Sequence, residues 1–490
     1  MVDSARRHVV IAGGGIAGLA CAEALRRHPV SLDIDVTILE SRRATGGRAG
    51  SFRDPGDDGR DVDYCQHVTM GCCTNLLAML ARVDLLDRWT RYRELTFYHP
   101  DHGRMPFRSS RWLPAPLHLS GALSGLRFLN PAQRREIRRA MWMLMRTSTN
   151  RLIDVSAERW LCEAGQSESS RRCFWDVILV SALGDVCRRV SMAAARKVMM
   201  DGFACARDAG DVWVPNRPLS EIFGVDLPDW LRRVGVQVRT GTTVRAVRNA
   251  NDGLGRVAVE LAGDEVILAS DVVLAMPWNA TRRLLDSSGL PTGHDDLDQL
   301  ESSPITGIHL WLDRPLTQLP HVVMVGTVSQ WLFREPLWRG GNGSRQPDRH
   351  YHQVVISGRH SMSGATRSDM VDHIMMELNQ AFPEAGGAVC LQSRVVTDPN
   401  SVFTVSPSSY RVRPTPMTSH PRVRIAGDWV QTGWPATMES AVISGAMAAS
   451  SILDAIGPKP PGPSGKVDRT ESLVQPAIRR GLLARVLIRP

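Results

Sequence analysis

The first sixty residues alternate between short apolar runs and polar turns in a regular order. Residues 8–12 form a largely β-branched run, the glycine-rich stretch 13–18 follows, and good helix formers occupy 19–27. After a loop that contains a proline, residues 35–40 form a second apolar run that ends in an acidic residue. This pattern predicts strand, tight turn, helix and strand, whereas the Gly-, Arg- and Asp-rich stretch 41–61 predicts a loop.

The rest of the chain divides into a helical region, a strand-rich region and a helical end. Residues 76–201 predict mostly helices. The later predicted elements are strands at 236–247, 257–261, 265–268, 271–276, 308–312, 321–328, 353–357 and 422–426, with helices at 368–381 and 440–456. A chain of 490 residues is too long for one core, which favours two intertwined domains.

A glycine fingerprint occupies the turn between the first predicted strand and helix. Its residues are Gly13, Gly15, Ile16, Ala17 and Gly18. Gly13 permits the tight turn, Gly15 lets a pyrophosphate approach the backbone, and Gly18 lets helix and strand pack closely. Glu40 ends the second strand, where a carboxylate can accept both ribose hydroxyls of an adenosine. Together these features predict a dinucleotide at the N-terminus of the first helix.

Two further motifs, at 43–48 and 425–439, resemble those of the amine oxidase and phytoene desaturase superfamily of flavoproteins. The resemblance implies FAD as the cofactor, with Arg48 against the pyrophosphate and Asp428 bonded to the ribityl chain. It also implies that the helix beginning near Thr437 directs its N–H groups at the N1/O2 edge of the flavin. The residues that the resemblance assigns to FAD are Gly46, Gly47, Arg48, Val244, Gly427, Asp428, Thr437, Met438 and Glu439.

The predicted fold is therefore α/β. It has an FAD-binding Rossmann-like domain of the glutathione-reductase type and an interleaved α+β substrate domain that contains a mixed sheet and helices. We expect the FAD-binding domain to comprise 1–75, 216–290 and 418–456, and the substrate-binding domain to comprise 76–215 and 291–417. Residues 457–490 begin with a Pro/Gly-rich stretch and predict a flexible basic tail.

Four segments resemble one family within that superfamily, the hydroxysqualene dehydroxylases, also called squalene-associated FAD-dependent desaturases. They are 63–68, 113–118, 330–333 and 427–439. The similarity extends from about residue 8 to residue 456, and the positions that depart from the family pattern are Tyr64, Cys65, Trp434 and Ser440. The resemblance implies squalene or hopanoid biosynthesis, in which hydride from reduced FAD replaces an allylic hydroxyl of hydroxysqualene.

Such a reaction needs an acid for the departing hydroxyl and an apolar chamber for a long isoprenoid. His67 is our candidate proton donor, because imidazole titrates near neutrality. Gln66 would position the hydroxyl or its water, and Asp63 is expected to order the loop. The alternative is that Gln66 and His67 only bond the flavin or its loop. No pattern of His, Cys, Asp or Glu predicts a metal.

Three other functions stay open on sequence alone. A carotenoid-type desaturase would use the same fold but transfer hydride from substrate to FAD. An amine oxidase would need a lysine near flavin N5, and none of Lys197, Lys459 and Lys466 is well placed in the chain for that role. A non-catalytic prenyl-binding escort protein would share the fold without needing Glu40 or Arg48. Because no second glycine fingerprint follows a predicted strand, we expect FAD to exchange electrons with an external donor or reductase.

The net charge of +9 is concentrated at the C-terminus, where residues 459–490 hold seven positive and two negative side chains. Nothing predicts nucleic-acid binding. Val474, Ile478, Leu482 and Val486 form an i, i+4 row, which leaves two interpretations, an interfacial helix drawn to anionic lipid and a disordered tail. Without an apolar signal core or a spanning run, we expect a cytoplasmic protein with peripheral contact at the inner membrane surface.

Overall fold

The computed structural model describes residues 6–28, 33–54, 59–290, 295–334, 349–358, 362, 364–456 and 472–489. Its strands are β1 (Arg7–Ala12), β2 (Ile34–Glu40), β3 (Ser51–Asp54), β4 (Arg60–Asp63), β5 (Thr69–Met70), β6 (Trp89–Tyr92), β7 (Glu94–His99), β8 (Gly103–Arg108), β9 (Val212–Pro215), β10 (Val236–Thr240), β11 (Val244–Asn249), β12 (Val257–Leu261), β13 (Val266–Ala269), β14 (Asp271–Leu274), β15 (Ser302–Leu312), β16 (His321–Met324), β17 (Trp331–Arg334), β18 (His350–Ser357), β19 (Cys390–Phe403) and β20 (Val423–Ile425). Its α-helices are α1 (Ile16–Arg27), α2 (Thr74–Arg82), α3 (Ser120–Gly125), α4 (Pro131–Arg146), α5 (Ala157–Glu163), α6 (Glu168–Ser170), α7 (Asp176–Leu183), α8 (Met192–Met199), α9 (Leu219–Glu221), α10 (Leu227–Arg233), α11 (Trp278–Ser288), α12 (Arg367–Ala381), α13 (Pro407–Val412), α14 (Met438–Ile456) and α15 (Leu482–Leu487).

A five-stranded parallel sheet, in the order β10-β2-β1-β14-β20, forms the centre of the first core. Val10 and Ile11 of its middle strand are fully buried, as expected for a parallel sheet covered on both faces. Helices α1 and α14 pack so closely that a methyl group on Gly445 would lie 2.3 Å from the carbonyl oxygen of Ala17. The Rossmann-like α/β fold is confirmed.

A seven-stranded mixed sheet, in the order β19-β15-β18-β17-β16-β7-β8, forms a second layer. Its neighbours are antiparallel except for β7 and β16. Helix α12 packs on it through Ile374 and Leu378, which share a core with Ile308 and Leu310 of β15. Because β7 and β8 precede β10 in the chain while β15 to β19 follow β14, the two sheets are interleaved in sequence.

Several strands occur where the apolar pattern predicts none. The predicted loop 41–61 contains the hairpin β3–β4, whose residues are mostly polar and which is held by tertiary contacts such as the 2.8 Å ion pair between Arg394 and Asp54. The predicted helical region 76–201 contains β6, β7 and β8. The predicted strand 236–247 is split at Gly241, whose φ of 66° turns the chain between β10 and β11.

The described end of the chain, residues 472–489, differs from the flexible tail that we expected. Leu473 and Ile488 are buried against the first core. The Arg27 guanidinium donates to the Leu473 carbonyl at 2.7 Å, and the Arg489 N–H donates to the Met145 carbonyl at 2.9 Å. Apolar anchors and backbone hydrogen bonds therefore fix this segment, while the predicted linker 457–465 lies outside the described residues.

Candidate cofactor and active site

The glycine fingerprint forms a tight turn with free space on one side. Gly13 has a φ of 118°, and a methyl group there would lie 2.2 Å from the Ala275 carbonyl oxygen. A methyl group on Gly18 would lie 2.0 Å from the carbonyl oxygen of Gly13. Around Gly15, by contrast, no described atom would lie within 4 Å of such a methyl. The backbone is therefore compact where strand and helix pack and open at Gly15, as a pyrophosphate requires.

The N-terminus of α1 lacks a side-chain cap in the described structure, because its N-cap residue is Gly15. The first-turn N–H groups, including those of Ile16 and Ala17, have no i−4 partner inside the helix. With the helix dipole they create a site that favours an anion. This end of α1 therefore fits a pyrophosphate.

Glu40 stands at the end of β2 beside this turn and is almost fully buried. Its carboxylate accepts the Gly14 N–H at 2.8 Å and the Arg42 N–H at 2.8 Å. Oε1 also accepts the Ser41 hydroxyl at 3.3 Å, whereas Oε2 keeps a further lone pair for a ribose hydroxyl. The Glu40 carbonyl accepts the Thr242 N–H at 2.8 Å, which brings Val244, at the start of β11, to the same end of the sheet.

The second glycine motif is hydrogen-bonded to the first. The Gly46 N–H donates to the Gly14 carbonyl at 2.8 Å, and Gly15 and Gly46 form an isolated parallel bridge. Gly46 and Gly47 have φ values of 103° and 64°, so both adopt backbone conformations that favour glycine. The two glycine loops that the sequence assigns to the cofactor are therefore adjacent in the structure.

The C-terminal motif meets the N-terminal motifs through an ion pair. Arg48 Nη2 lies 2.5 Å from Asp428 Oδ1, and Arg48 Nη1 donates to the Ser401 carbonyl at 2.6 Å. Asp428 is buried, whereas Arg48 is partly exposed. Gly427, next to Asp428, donates its N–H to Ser444 Oγ of α14 at 2.9 Å. Residues almost 400 positions apart thus line one site.

Helix α14 begins at Met438, and Thr437 precedes it with its Oγ1 accepting the Ser440 N–H at 3.1 Å. The side chain of Glu439, which we expected at the cofactor, is engaged elsewhere. Its carboxylate accepts the N–H groups of Asn75 and Leu76 at 3.0 and 2.8 Å and the Asn75 side-chain amide at 2.9 Å.

Glu439 therefore holds the N-terminus of α2, and only its backbone is left for FAD. It is 1% exposed, and burial raises the pKa of its carboxyl group while the hydrogen bonds from Leu76 and Asn75 oppose that rise. The carboxylate couples α2 to α14 across the fold.

The loop that carries Gln66 and His67 lies beside Arg48. The Cys65 carbonyl is 2.8 Å from His67 Nδ1, so Nδ1 carries the hydrogen and the lone pair of the neutral ring is on Nε2. Burial lowers the pKa of His67; the bond to Cys65 opposes this, and the charge of Arg48 adds to the lowering. Gln66 Nε2 is buried and has no hydrogen-bond partner within the described residues. Such an amide fits an acceptor on a bound molecule.

The side chain of Asp63 anchors the start of this loop, as predicted. Its Oδ1 accepts the Ser51 hydroxyl at 2.6 Å and the Leu219 N–H at 2.9 Å. These bonds tie β4 to β3 and to α9, which sets the start of the segment that leads to His67.

One residue beside the C-terminal motif was not foreseen. Arg413 is buried and donates to the carbonyl groups of Asp428, Trp429, Val430 and Trp434 at distances from 2.5 to 3.1 Å. Burial lowers its pKa to about 10. The sequence shows only one arginine among many, so nothing pointed to this role.

Lys197 was expected, from its place in the chain, not to suit the position beside flavin N5 that an amine oxidase needs. Its Nζ lies 4.6 Å from the centre of the Trp434 ring and 2.7 Å from Asp201 Oδ2. The i, i+4 spacing of Lys197 and Asp201 in the sequence could have predicted their ion pair. The contact with Trp434 depends on tertiary structure and could not.

This combination of an open helix N-terminus, a ribose-binding carboxylate and a C-terminal segment returning to the same turn defines a dinucleotide-binding flavoprotein. Residues 16–453 match the family described as flavin containing amine oxidoreductase, and the chain belongs to that family. The protein is therefore an FAD-dependent oxidoreductase. The residues present fit FAD, since the space at Gly15 and the uncapped α1 suit its pyrophosphate and the partnerless Gln66 amide can donate to a bound molecule.

Similar proteins extend over nearly the whole chain. Carotenoid phi-ring synthase of Streptomyces griseus is 28% identical over 475 residues, covering 92% of this chain and 88% of that protein. 15-cis-phytoene desaturase of Synechococcus elongatus is 22% identical over 472 residues, covering 91% and 95%.

Solved structures with the same fold include cyclohexylamine oxidase from Brevibacterium oxydans, with a TM-score of 0.64, 18% identity and coverage of 92% of this chain and 99% of that one. An oxidoreductase from Methanosarcina mazei has a TM-score of 0.66, 16% identity and coverage of 91% and 100%. These similarities support the fold, and the family match supports the cofactor.

Proposed function

We propose that this protein dehydrogenates a long isoprenoid chain, forming a carbon–carbon double bond in the manner of a carotenoid-type desaturase. The names of the similar proteins from Streptomyces griseus and Synechococcus elongatus point to carotenoid and phytoene chemistry. The hydrogen bond from His67 Nδ1 to the Cys65 carbonyl, which leaves the lone pair on Nε2, is the observation in the structure that carries the proposed direction of the reaction.

Bound FAD would supply the hydride acceptor, held by the α1 N-terminus, Glu40, Arg48 and Asp428. Loss of hydride from one carbon leaves a proton to be removed from its neighbour. His67 is suited to accept it, because its lowered pKa keeps the ring neutral near pH 7 and its Nδ1–H faces the Cys65 carbonyl. The base is then Nε2. An acid role, which we expected for His67, would need the protonated ring that burial disfavours.

Reductive dehydroxylation of hydroxysqualene is the second candidate. The motifs at 63–68 and 427–439 support it, and the buried, partnerless Gln66 amide would suit a hydroxyl oxygen that a pure hydrocarbon does not have. In either direction the electrons must reach or leave FAD through an external partner.

Product mass separates the two candidates. The FAD-loaded protein would be incubated without oxygen with phytoene and an electron acceptor, or with hydroxysqualene after FAD has been reduced. A product lighter by two hydrogens supports desaturation, whereas one lighter by a single oxygen supports dehydroxylation. If phytoene and other long polyenes remain unchanged while hydroxysqualene is converted, the first proposal is wrong.

A further inference from the structure

A group of large apolar side chains is exposed on one region of the surface. Trp112 is 92% exposed, Leu482 is 81% exposed and Val486 is 73% exposed, while Leu113 and Leu117 are about half exposed. Isolated exposed apolar residues are normal on a protein surface, but a contiguous group of this kind marks an interaction site. We call these five residues the apolar patch.

The two segments that carry the patch are adjacent in space. A methyl group placed on Gly481, the residue before α15, would lie 3.5 Å from Cβ of Ala115. The Gly481 N–H donates to the Cys205 carbonyl at 2.9 Å. Leu482 and Val486 are one turn apart on α15, so they share a face of the helix.

The loop that presents Trp112 is held in place rather than free. The Ser110 N–H donates to the His118 carbonyl at 2.8 Å, and His118 is buried. The Arg207 guanidinium donates to the Arg111 carbonyl at 2.5 Å. Exposure of Trp112 and Leu113 is therefore built into the fold. Exposing a tryptophan side chain to water on a fixed loop is unfavourable in free energy, and contact with another apolar phase removes that cost.

The surroundings of the patch are basic. Segments 103–130 and 472–489 each contain four arginines and no acidic residue. Arg111, Arg479, Arg485 and Arg489 are exposed. Trp142, which is also exposed, lies on α4 one turn before Met145, whose carbonyl accepts the Arg489 N–H. Apolar residues flanked by exposed arginine match the interfacial region of an anionic bilayer.

We infer that the apolar patch and its arginines dock this protein on the surface of an anionic lipid bilayer, with α15 and the 111–117 loop entering the headgroup region. The sequence pointed only to the tail as an amphipathic element. In the structure, Val474 and Ile478 pack against the core, and the 111–117 loop supplies the rest of the apolar surface.

The docking is peripheral. One described helix, α14, has the length and apolar composition to cross a bilayer, but it is mostly buried, packs against α1 and α2, and serves as a core helix. A second copy of the chain is a less suitable occupant, because two such patches would bring arginines of the same sign together. Bilayer docking would bring the protein to water-insoluble chains, yet its test needs no substrate.

The test is sedimentation of the FAD-loaded, full-length protein with vesicles of phosphatidylcholine alone and with phosphatidylglycerol added. A triple variant, Trp112→Ser with Leu482→Ser and Val486→Ser, removes the apolar contacts. We expect the parent to bind the anionic vesicles and the triple variant to bind at least about tenfold more weakly. Arg479→Gln with Arg485→Gln should weaken binding about fivefold per charge on anionic vesicles only.

The matched control is Leu254→Ser with Met376→Ser, since both residues are exposed, at 68% and 59%, but lie on other elements. This control should bind vesicles like the parent. FAD absorbance and thermal unfolding show that each variant is folded. A parent that stays in solution with anionic vesicles would overturn the inference. So would equal loss of binding in the control, or a parent dimer, seen by ultracentrifugation, that the triple variant converts to monomer without any vesicle binding.

Discussion

Replacing Gly15 with alanine should weaken FAD binding while leaving the apoprotein nearly as stable as the parent. Gly15 has φ −71° and ψ 176°, which alanine adopts without strain, and no described atom lies within 4 Å of the new methyl. Alanine restricts the unfolded chain, which stabilises by about 0.4–1 kcal/mol, but it is a poorer N-cap by a similar amount. The two effects nearly cancel, so the apoprotein should change by less than about 1 kcal/mol.

Binding should respond differently, because the methyl enters the space through which the pyrophosphate approaches the backbone. A loss of at least about 1.4 kcal/mol raises the Kd for FAD at least tenfold. Gly18→Ala is the contrasting variant. Its methyl would lie 2.0 Å from the Gly13 carbonyl oxygen, so the apoprotein itself should lose about 1–3 kcal/mol of unfolding free energy or more.

Urea denaturation of the two apoproteins and fluorescence titration with FAD separate the effects. We expect Gly15→Ala to unfold near the parent midpoint and to bind FAD weakly, and Gly18→Ala to unfold at a lower urea concentration. If Gly15→Ala bound FAD as tightly as the parent, the pyrophosphate would not pass this glycine. If it were destabilised as much as Gly18→Ala, the open space beside Gly15 would be absent.

Three other outcomes are expected. His67→Gln should lower turnover about 10²–10⁴-fold and remove the fall in rate at acid pH, because the parent ring must be neutral to accept a proton; an unchanged pH profile would remove its role as base. Because folding lowers the pKa of His67, the stability it contributes is fully present above about pH 6.5 and is lost as pH falls. Urea denaturation at pH 7.5 and 5.5 should show a larger loss in the parent than in the variant, in which His118, His321 and His352, whose pKa values burial also lowers, still titrate. Glu439→Gln should cost about 1–3 kcal/mol by urea denaturation, since one of its bonds to α2 is replaced by a donor facing a donor, and no loss would mean that the cap is dispensable. Arg413→Lys should weaken FAD binding in a titration, because lysine cannot donate to four carbonyl groups at once, and parent-like affinity would contradict its role in shaping the flavin segment.

The sequence was sufficient to predict FAD as the cofactor but not every contact that shapes the candidate site. The glycine turns and Glu40 work through the backbone at strand ends, and the carboxyl ends of neighbouring parallel strands must meet, so their proximity follows from local pattern. The side chain of Glu439 shows the limit. Its partner is the N-terminus of α2, whose position depends on packing between elements more than 350 residues apart, and no local periodicity encodes that.

Similar reasons explain the missed strands and the role of Arg413. The hairpin β3–β4 has too few apolar residues to show a period of two, and it is held by contacts such as Arg394 with Asp54. Arg413 is recognisable only when four carbonyl groups of the turn after β20 are seen to converge on it. In both cases charged side chains, which usually face solvent, make ion pairs or hydrogen bonds between distant parts of the chain.

The order of strands in the parallel sheet has a consequence for biosynthesis. Strand β1 is made more than 400 residues before β20, Asp428 and α14, with which it shares one core. During translation the apolar face of α1 stays uncovered until α14 is made, and the flavin pocket lacks its second wall until then. We therefore expect FAD to be acquired only after α14 has been made, and the nascent protein to depend on chaperones that shield its early strands.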